Sequence, residues 1–325
     1  MENTAPQPVV FIHDAAVDEY IATVLLTVMP GIELVGLIVV NADCIAQPAM
    51  DAASKLLQFL GREDIPLALS RARGWNPFPW PYRGDCVNFE AIPSLQPYAS
   101  KVPCPPPSGE DLLVRLLEDA LRGGRRLTVL ITCPFTPLTD VLDAHPGLLQ
   151  AIEKVVWMGG AIYVPGNLDP TTINPAVANK HAEWNAFWDP FAVERAFALF
   201  AGIRIFPLDI TNNTPLSADF MNALQAQGKQ FAYSQLAYEA YSLVSGEPFY
   251  DMWDVTATCW LTNPGLYQAA SPTPLEIETW GFNQGWIRPA GPSRKTQDVF
   301  LSFADKPAFY SYVLGLLRAP AAAGG

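Results

Sequence analysis

The stretch Val9-Val-Phe-Ile-His-Asp-Ala-Ala-Val-Asp-Glu-Tyr20 decides the fold. Residues 9–12 form a short, wholly apolar run, as expected of a strand buried on both faces. The spacing then changes. Tyr20, Ile21, Val24, Leu25 and Val28 recur at the three-to-four-residue interval of a helix, which Pro30-Gly31 stops. Residues 34–40 give a second apolar run. Residues 49–60 give a second helical pattern closed by Gly61, and 65–69 a third short strand. Strand alternating with helix predicts a parallel sheet with helices on both faces.

Further along, the alternation breaks between Gly74 and Pro107, where nine prolines fall from Pro77 onward, mixed with aromatics. A loop this long inside a compact domain is usually functional. Alternation resumes at Glu110 with a helix to about 121, a strand over 127–132, a helix over 138–144 and a strand over 155–158. Gly159-Gly160 opens a second irregular loop reaching to about Lys180. A helix over 191–200, a strand over 203–208 and a mostly helical stretch over 217–261, broken near Gly246, follow. Short strands over 275–279 and 299–303 precede a last helix over 307–317. With no internal repeat and no linker, the expectation is α/β. It is a single domain over 1–325 with an open, mostly parallel central sheet flanked by helices and a frayed tail over 320–325.

Half of the 325 residues are apolar and 16% are charged, which excludes a disordered chain. Lys and Arg number 20 against 32 Asp and Glu, a net charge of −12. That balance argues against nucleic acid or an anionic membrane as partner. The densest basic group, Arg122, Arg125 and Arg126, reads as a solvated turn before a strand. Five cysteines without a C-x-x-C pair argue against a disulfide framework and against a cysteine zinc site. The first residues lack the features of a signal peptide. The most apolar stretch, 20–40, carries Glu33 and Pro30-Gly31 and reads as helix, turn and strand rather than a membrane span. A cytoplasmic location is the default expectation.

Ligands of open parallel sheets bind beyond the carboxyl ends of the strands. His13 and Asp14 follow the first strand, with Asp18 and Glu19 opening the next helix; Asn41 and Asp43 follow the second. Thr132, then Met158-Gly159-Gly160, then Asp209, Thr211 and Asn212 follow later strands, and no lysine or arginine appears at this edge. Such a set suits a hard, oxygen-liganded cation such as Ca²⁺ or Mg²⁺. Taken singly, Asp14, Asp18 and Glu19 serve equally well as helix-capping and dipole-matching residues, and Asp43 as a turn residue. Periodicity alone leaves the chemistry open.

The residues from Val10 to Tyr20 also resemble the N-terminal D-x-D-x-x-x-D-D signature of nucleoside hydrolases. The likeness continues through Asn41-Ala-Asp-Cys44, and Asn76-Pro-Phe-Pro79 resembles a loop of the purine-specific branch. Thr132-Cys-Pro134, Met158-Gly-Gly-Ala161 and Gly166-Asn167 follow in order, then Ala182-Glu-Trp-Asn185, Trp188-Asp-Pro190, Leu208-Asp209 and Trp253-Asp254. The resemblance spans about residues 9–260 and is most similar to the inosine-adenosine-guanosine-preferring branch.

It implies a Ca²⁺-dependent hydrolase of the N-glycosidic bond of purine ribonucleosides, acting in purine salvage; relatives are dimers or tetramers, and a homodimer is the expectation here. The implied metal ligands are Asp14, Glu19, the main-chain carbonyl of Thr132, and Asp254. Asp18 would bind the ribose 2′-OH, Asn185 the 3′-OH, and Asn167 and Glu183 the 5′-OH, with Met158 also at the ribose. Asp43 would lie beside sugar and base. The base would stack between Trp253 and Tyr82, with Trp80 close by. Asp14 would be the general base for a water acidified by the metal. The chain departs from the signature at Ile12, where the family has aspartate, and at Ala15-Ala16, where it has Gly-Asn. Glu19 replaces an aspartate and Cys133 a glycine.

Overall fold

β1 (Gln7–His13) lies in the middle of the sheet. Its apolar residues alternate between two cores: Val9 and Phe11 pack on one face, Val10 and Ile12 on the other. That is why the run is apolar at every position. The computed structural model describes residues 5–80, 82–168, 178–247 and 249–320. After β1 come α1 (Val17–Val28), β2 (Ile32–Val39), α2 (Ala46–Phe59), β3 (Leu67–Leu69), α3 (Asp85–Glu90), α4 (Gly109–Arg122), β4 (Leu127–Ile131), α5 (Thr136–Ala144) and β5 (Ile152–Met158). The second half holds α6 (Trp184–Trp188), α7 (Pro190–Leu199), β6 (Arg204–Phe206), α8 (Leu208–Thr211), α9 (Ala218–Gly228), α10 (Ala232–Ser242), α11 (Trp253–Cys259), β7 (Ser271–Ile277), β8 (Ile287–Pro289), β9 (Thr296–Val299) and α12 (Lys306–Leu316).

The strand order is β3-β2-β1-β4-β5-β6-β9-β7-β8. The first seven strands in that order pair in parallel, while β7 is antiparallel to β9 and β8 to β7. From β1 the chain moves outward to β2 and β3, then returns to lay β4 on the other side of β1. The loops leaving β1 and β4 therefore diverge, and a crevice opens between their carboxyl ends. One core packs α1, α2 and the helices from α9 to α12 on one sheet face; the other packs α4, α5 and α7 on the opposite face.

The mostly parallel sheet expected from the alternation is present, with local differences. The expected strand over 203–208 ends at Phe206, and Leu208–Thr211 turns helical after Pro207. The helical stretch over 217–261 is three helices, with the break over 243–252. β8 has three residues, too few to show a period, and α3 lies inside the proline-rich stretch. Residues 1–4, the part of the second irregular loop at 169–177 and the tail 321–325 lie outside the described residues. Among the described residues no helix is long and apolar enough to cross a membrane. All five cysteines are free.

Candidate active site

A cavity of about 570 Å³ opens at the carboxyl ends of the strands. Its floor comes from residues that end or follow strands: Asp14 after β1, Asp43 after β2, Thr132 after β4 and Met158 at the end of β5. Asn167, Glu183 and Asn185 form one wall. Asp254 and Trp253, at the start of α11, face them with Tyr82. Residues separated by more than two hundred positions thus meet at one crevice. Three expected site residues do not line it: Asp18, Glu19 and Trp80.

Local chemistry accounts for the two carboxylates. Glu19 is the third residue of α1, and its longer side chain folds back over the helix start. It accepts from the peptide N–H of Asp14 (3.1 Å) and of Ala16 (2.8 Å), and from the Thr132 hydroxyl. The capping role open to this residue is therefore realised. Asp18 points to the other side of α1. Its carboxylate accepts from the Tyr241 hydroxyl and from the N–H groups of Asp254 (2.7 Å) and Val255 (2.8 Å), which tethers α11 to α1. Asp14 remains at the cavity, and its Oδ2 accepts from the Asp43 N–H at 3.2 Å.

The electrostatics are one-sided. Burial, then the charge of Glu19, pushes the Asp14 carboxyl well above the ordinary range. Burial, then Glu19, Asp18, Asp14 and Glu183, does the same to Asp254. Asp18 and Glu19 are each raised by burial to about 7. No lysine or arginine lines the cavity among the described residues. The expectation that this sheet edge is free of cationic side chains needs one correction. Arg83, from the proline-rich stretch, donates to the Cys44 carbonyl (2.9 Å) and Asn41 Oδ1 (2.8 Å), clamping the turn after β2 from outside the cavity. Among the described residues the buried Asp43 Oδ1 atom has no hydrogen-bond partner.

The polar wall is built on main-chain contacts. Glu183 caps α6, accepting from the N–H of Gly160 (2.7 Å), Asn185 (2.8 Å) and Ala186 (3.2 Å), so the loop after β5 is pinned to α6. The Asn185 amide donates to the carbonyls of Thr132 (3.1 Å) and Met158 (3.2 Å), spanning the ends of β4 and β5. Asp209 is not in the cavity; it accepts from the N–H groups of Ile162 and Tyr163, both at 2.9 Å, and anchors the same loop. Asn167 accepts from the Trp184 N–H at 3.1 Å. Gly166 runs against the backbone of residue 182, where a β-carbon would overlap the Ala182 carbonyl. Since the obstructing atoms are all main chain, Gly166→Ala is expected to cost about 3 kcal/mol. A denaturant midpoint within error of wild type would rule out that close approach.

The other end of the cavity is aromatic. Tyr82, Phe249, Tyr250 and Trp253 line it, while Phe78 and Trp184 line the cavity beside the polar wall. Tyr82 meets Phe249 edge to face at 6.1 Å, Tyr250 meets Trp253 at 4.8 Å, and Phe78 lies 4.9 Å from Trp184. Trp80 instead projects outward and is 68% exposed, with the Arg83 guanidinium 5.8 Å from its ring. Phe249 and Tyr250 were not expected at the site. Phe78 and Trp184 lie inside recognised motifs and could have been picked out there.

Residues 9–309 match the family described as inosine-uridine preferring nucleoside hydrolase. The protein belongs to that nucleoside hydrolase family. The solved inosine-uridine preferring nucleoside hydrolase of Bacillus anthracis is similar, with 29% identity and a TM-score of 0.84 over 96% of this chain and 99% of that one. A non-specific ribonucleoside hydrolase of Salmonella paratyphi A is 25% identical over 86% of both chains. A pyrimidine-specific ribonucleoside hydrolase of a Shewanella species is 23% identical over 81% of this chain and 80% of that one. The chain is thus a hydrolase of the N-glycosidic bond of ribonucleosides.

Within this nucleoside hydrolase, the departures from the signature have visible structural settings. Ile12 is fully buried in the core opposite α1. Ala15, where the signature has glycine, is left-handed at φ 67°, the only such non-glycine among the described residues. That conformation costs about 1–2 kcal/mol. Ala15 donates to His13 Nδ1 at 3.2 Å, and burial pushes His13 down to about 3, so the imidazole is neutral. Cys133 is buried, which raises its thiol well above the ordinary range and leaves it an inert packing group. Among the described residues no three carboxylate, imidazole or thiolate groups are gathered into a metal cluster. The donor chemistry nonetheless fits a hard cation: Asp14, Asp254 and Thr132 line one cavity, which no lysine or arginine lines among the described residues.

Proposed function

We propose that this nucleoside hydrolase is a Ca²⁺-dependent purine nucleosidase in which Asp14 is the general base. The observation that carries the reading is the division of one cavity into an acidic floor without basic residues and an aromatic end. Asp14, Glu19, Asp254 and the Thr132 carbonyl would hold the cation, whose charge would fix the ribose diol and acidify a water. Glu19 would have to exchange its contacts with the Asp14 and Ala16 N–H groups for that role. The 2′-OH contact expected of Asp18 needs a rotation away from Tyr241.

Asp14 takes the proton of the attacking water as its oxygen bonds to C1′ and the C1′–N bond breaks. The electron pair of that bond leaves with the base. Positive charge builds on C1′ and the ring oxygen, and the surrounding carboxylates stabilise it. Asn185, Asn167 and Glu183 orient the ribose. Trp253 and Tyr82 stack on the base and favour protonation of a purine ring as it departs. Asp43, on the floor, would sit beside sugar and base.

The test is release of free base from inosine, adenosine, guanosine, uridine, cytidine and 2′-deoxyinosine, with Ca²⁺ and with chelator. Chelator-sensitive release from purine ribosides is expected, with the deoxyriboside slower by at least about 10²-fold because its missing hydroxyl leaves polar groups unpaired. Trp253→Ala and Tyr82→Ala should each lower purine turnover about tenfold more than uridine turnover, the worth of one lost stacking face. Equal losses on both substrates would favour a broad or pyrimidine-preferring hydrolase. Riboside and Ca²⁺ binding without base release would favour a binding protein, a reading supported by the Glu19 carboxylate being held on main-chain N–H groups.

A further inference from the structure

Two carboxylates at the aromatic end have no part in the chemistry above. Asp85 is the first residue of α3, and Glu247 lies between α10 and α11 with Phe249 and Tyr250. Both line the cavity. Among the described residues neither side chain has a hydrogen-bond or ion-pair partner, and no basic side chain lines the cavity. Asp85 stands close enough to Asp43 and to Tyr250 for its charge to raise both groups. Burial, then the charge of Glu247, pushes Asp85 to about 7. Asp251 also lines the cavity, but the Lys306 charge and the Thr214 N–H act on its carboxylate, so the acceptors left at this end are Asp85 and Glu247.

We propose that Asp85 and Glu247 read the outer edge of the base and select purines that carry an exocyclic amino group. The proposal rests on the reading that the aromatic end holds the base. Above about pH 7, where Asp85 is ionised, its carboxylate only accepts hydrogen bonds. A base edge bearing N–H donors satisfies it, whereas a bare ring or a carbonyl edge offers it no donor. Guanine offers two parallel N–H donors, the pattern a carboxylate accepts at both oxygens, and adenine offers one amino group. An aromatic slot alone binds every purine by its face. The carboxylates add the discrimination that stacking lacks.

The experiment compares equilibrium binding of guanosine, adenosine and the purine riboside without exocyclic groups, in Ca²⁺, to wild type, Asp85→Asn and Glu247→Gln. Base release is followed in the same samples, and melting curves establish that the variants are folded. Wild type should bind the amino-bearing ribosides more tightly. Each substitution should reduce that preference about tenfold, since an amide presents a donor where an acceptor stood. An unchanged preference in both folded variants, or no preference in wild type, overturns the proposal. Binding with the expected preference but without base release would instead count against the hydrolase mechanism. Wild type that binds none of the three overturns both.

Discussion

Asp14→Asn is expected to lower turnover by about 10²–10⁴-fold, the usual worth of a general base, while riboside binding changes by less than about tenfold. The side chain sits on the cavity floor after β1, and its Oδ2 is already fixed by the Asp43 N–H. An asparagine keeps the size and an oxygen for that contact, but its amide cannot take a proton from water. The loss should therefore appear in the chemical step. Single-turnover base release against equilibrium riboside binding separates the two. Turnover within tenfold of wild type would remove Asp14 as the base. A parallel loss of binding would make it a structural residue of the floor.

The second large effect concerns pH and cation. With chelator, the protein is expected to be more stable at pH 5 than at pH 8. Burial raises Glu183 from 4.5 to about 7 and Asp18 from 3.8 to about 7. The fold favours their neutral forms, while the unfolded chain ionises them near their ordinary values. The contribution is thus complete below about pH 4 and is lost as the pH rises through about 7. For Glu183 alone the shift corresponds to about 3 kcal/mol. Ca²⁺ favours the ionised carboxylates, so it should raise the melting temperature more at pH 8 than at pH 5. Calorimetry at both pH values, with chelator and with Ca²⁺, checks this. Stability that rises from pH 5 to pH 8 in chelator would mean the carboxylates are already charged and paired.

Much of the frame was legible in local patterns. A strand in a parallel sheet is apolar at every position, so 9–12 and 34–40 stood out, and the change to helical spacing at Tyr20 marked α1. In such sheets the next polar residue falls at the carboxyl edge, so Asp14, Asp43, Thr132 and Met158 could be named together before any contact was known. The three-residue strand β8 and the short helix α3 were not legible, because neither is long enough to show a period.

The sequence by itself determined the α/β class, the strand ends that make the floor and the acidic character of the site, because each is written within a few residues of chain. The tertiary structure alone decided which side chains enter the cavity. Glu19 is turned back by its own helix start, Asp18 is taken by Tyr241 and the N–H groups of α11, and Trp80 is outside while Tyr82 is in. The aromatic end was also beyond local reading. Asp85 and Tyr82 meet Glu247 and Phe249 across more than 150 positions, and only the packing of the proline-rich stretch against the segment before α11 brings them to one wall. Proximity across that distance is set by the whole core, whereas periodicity carries information only along one element.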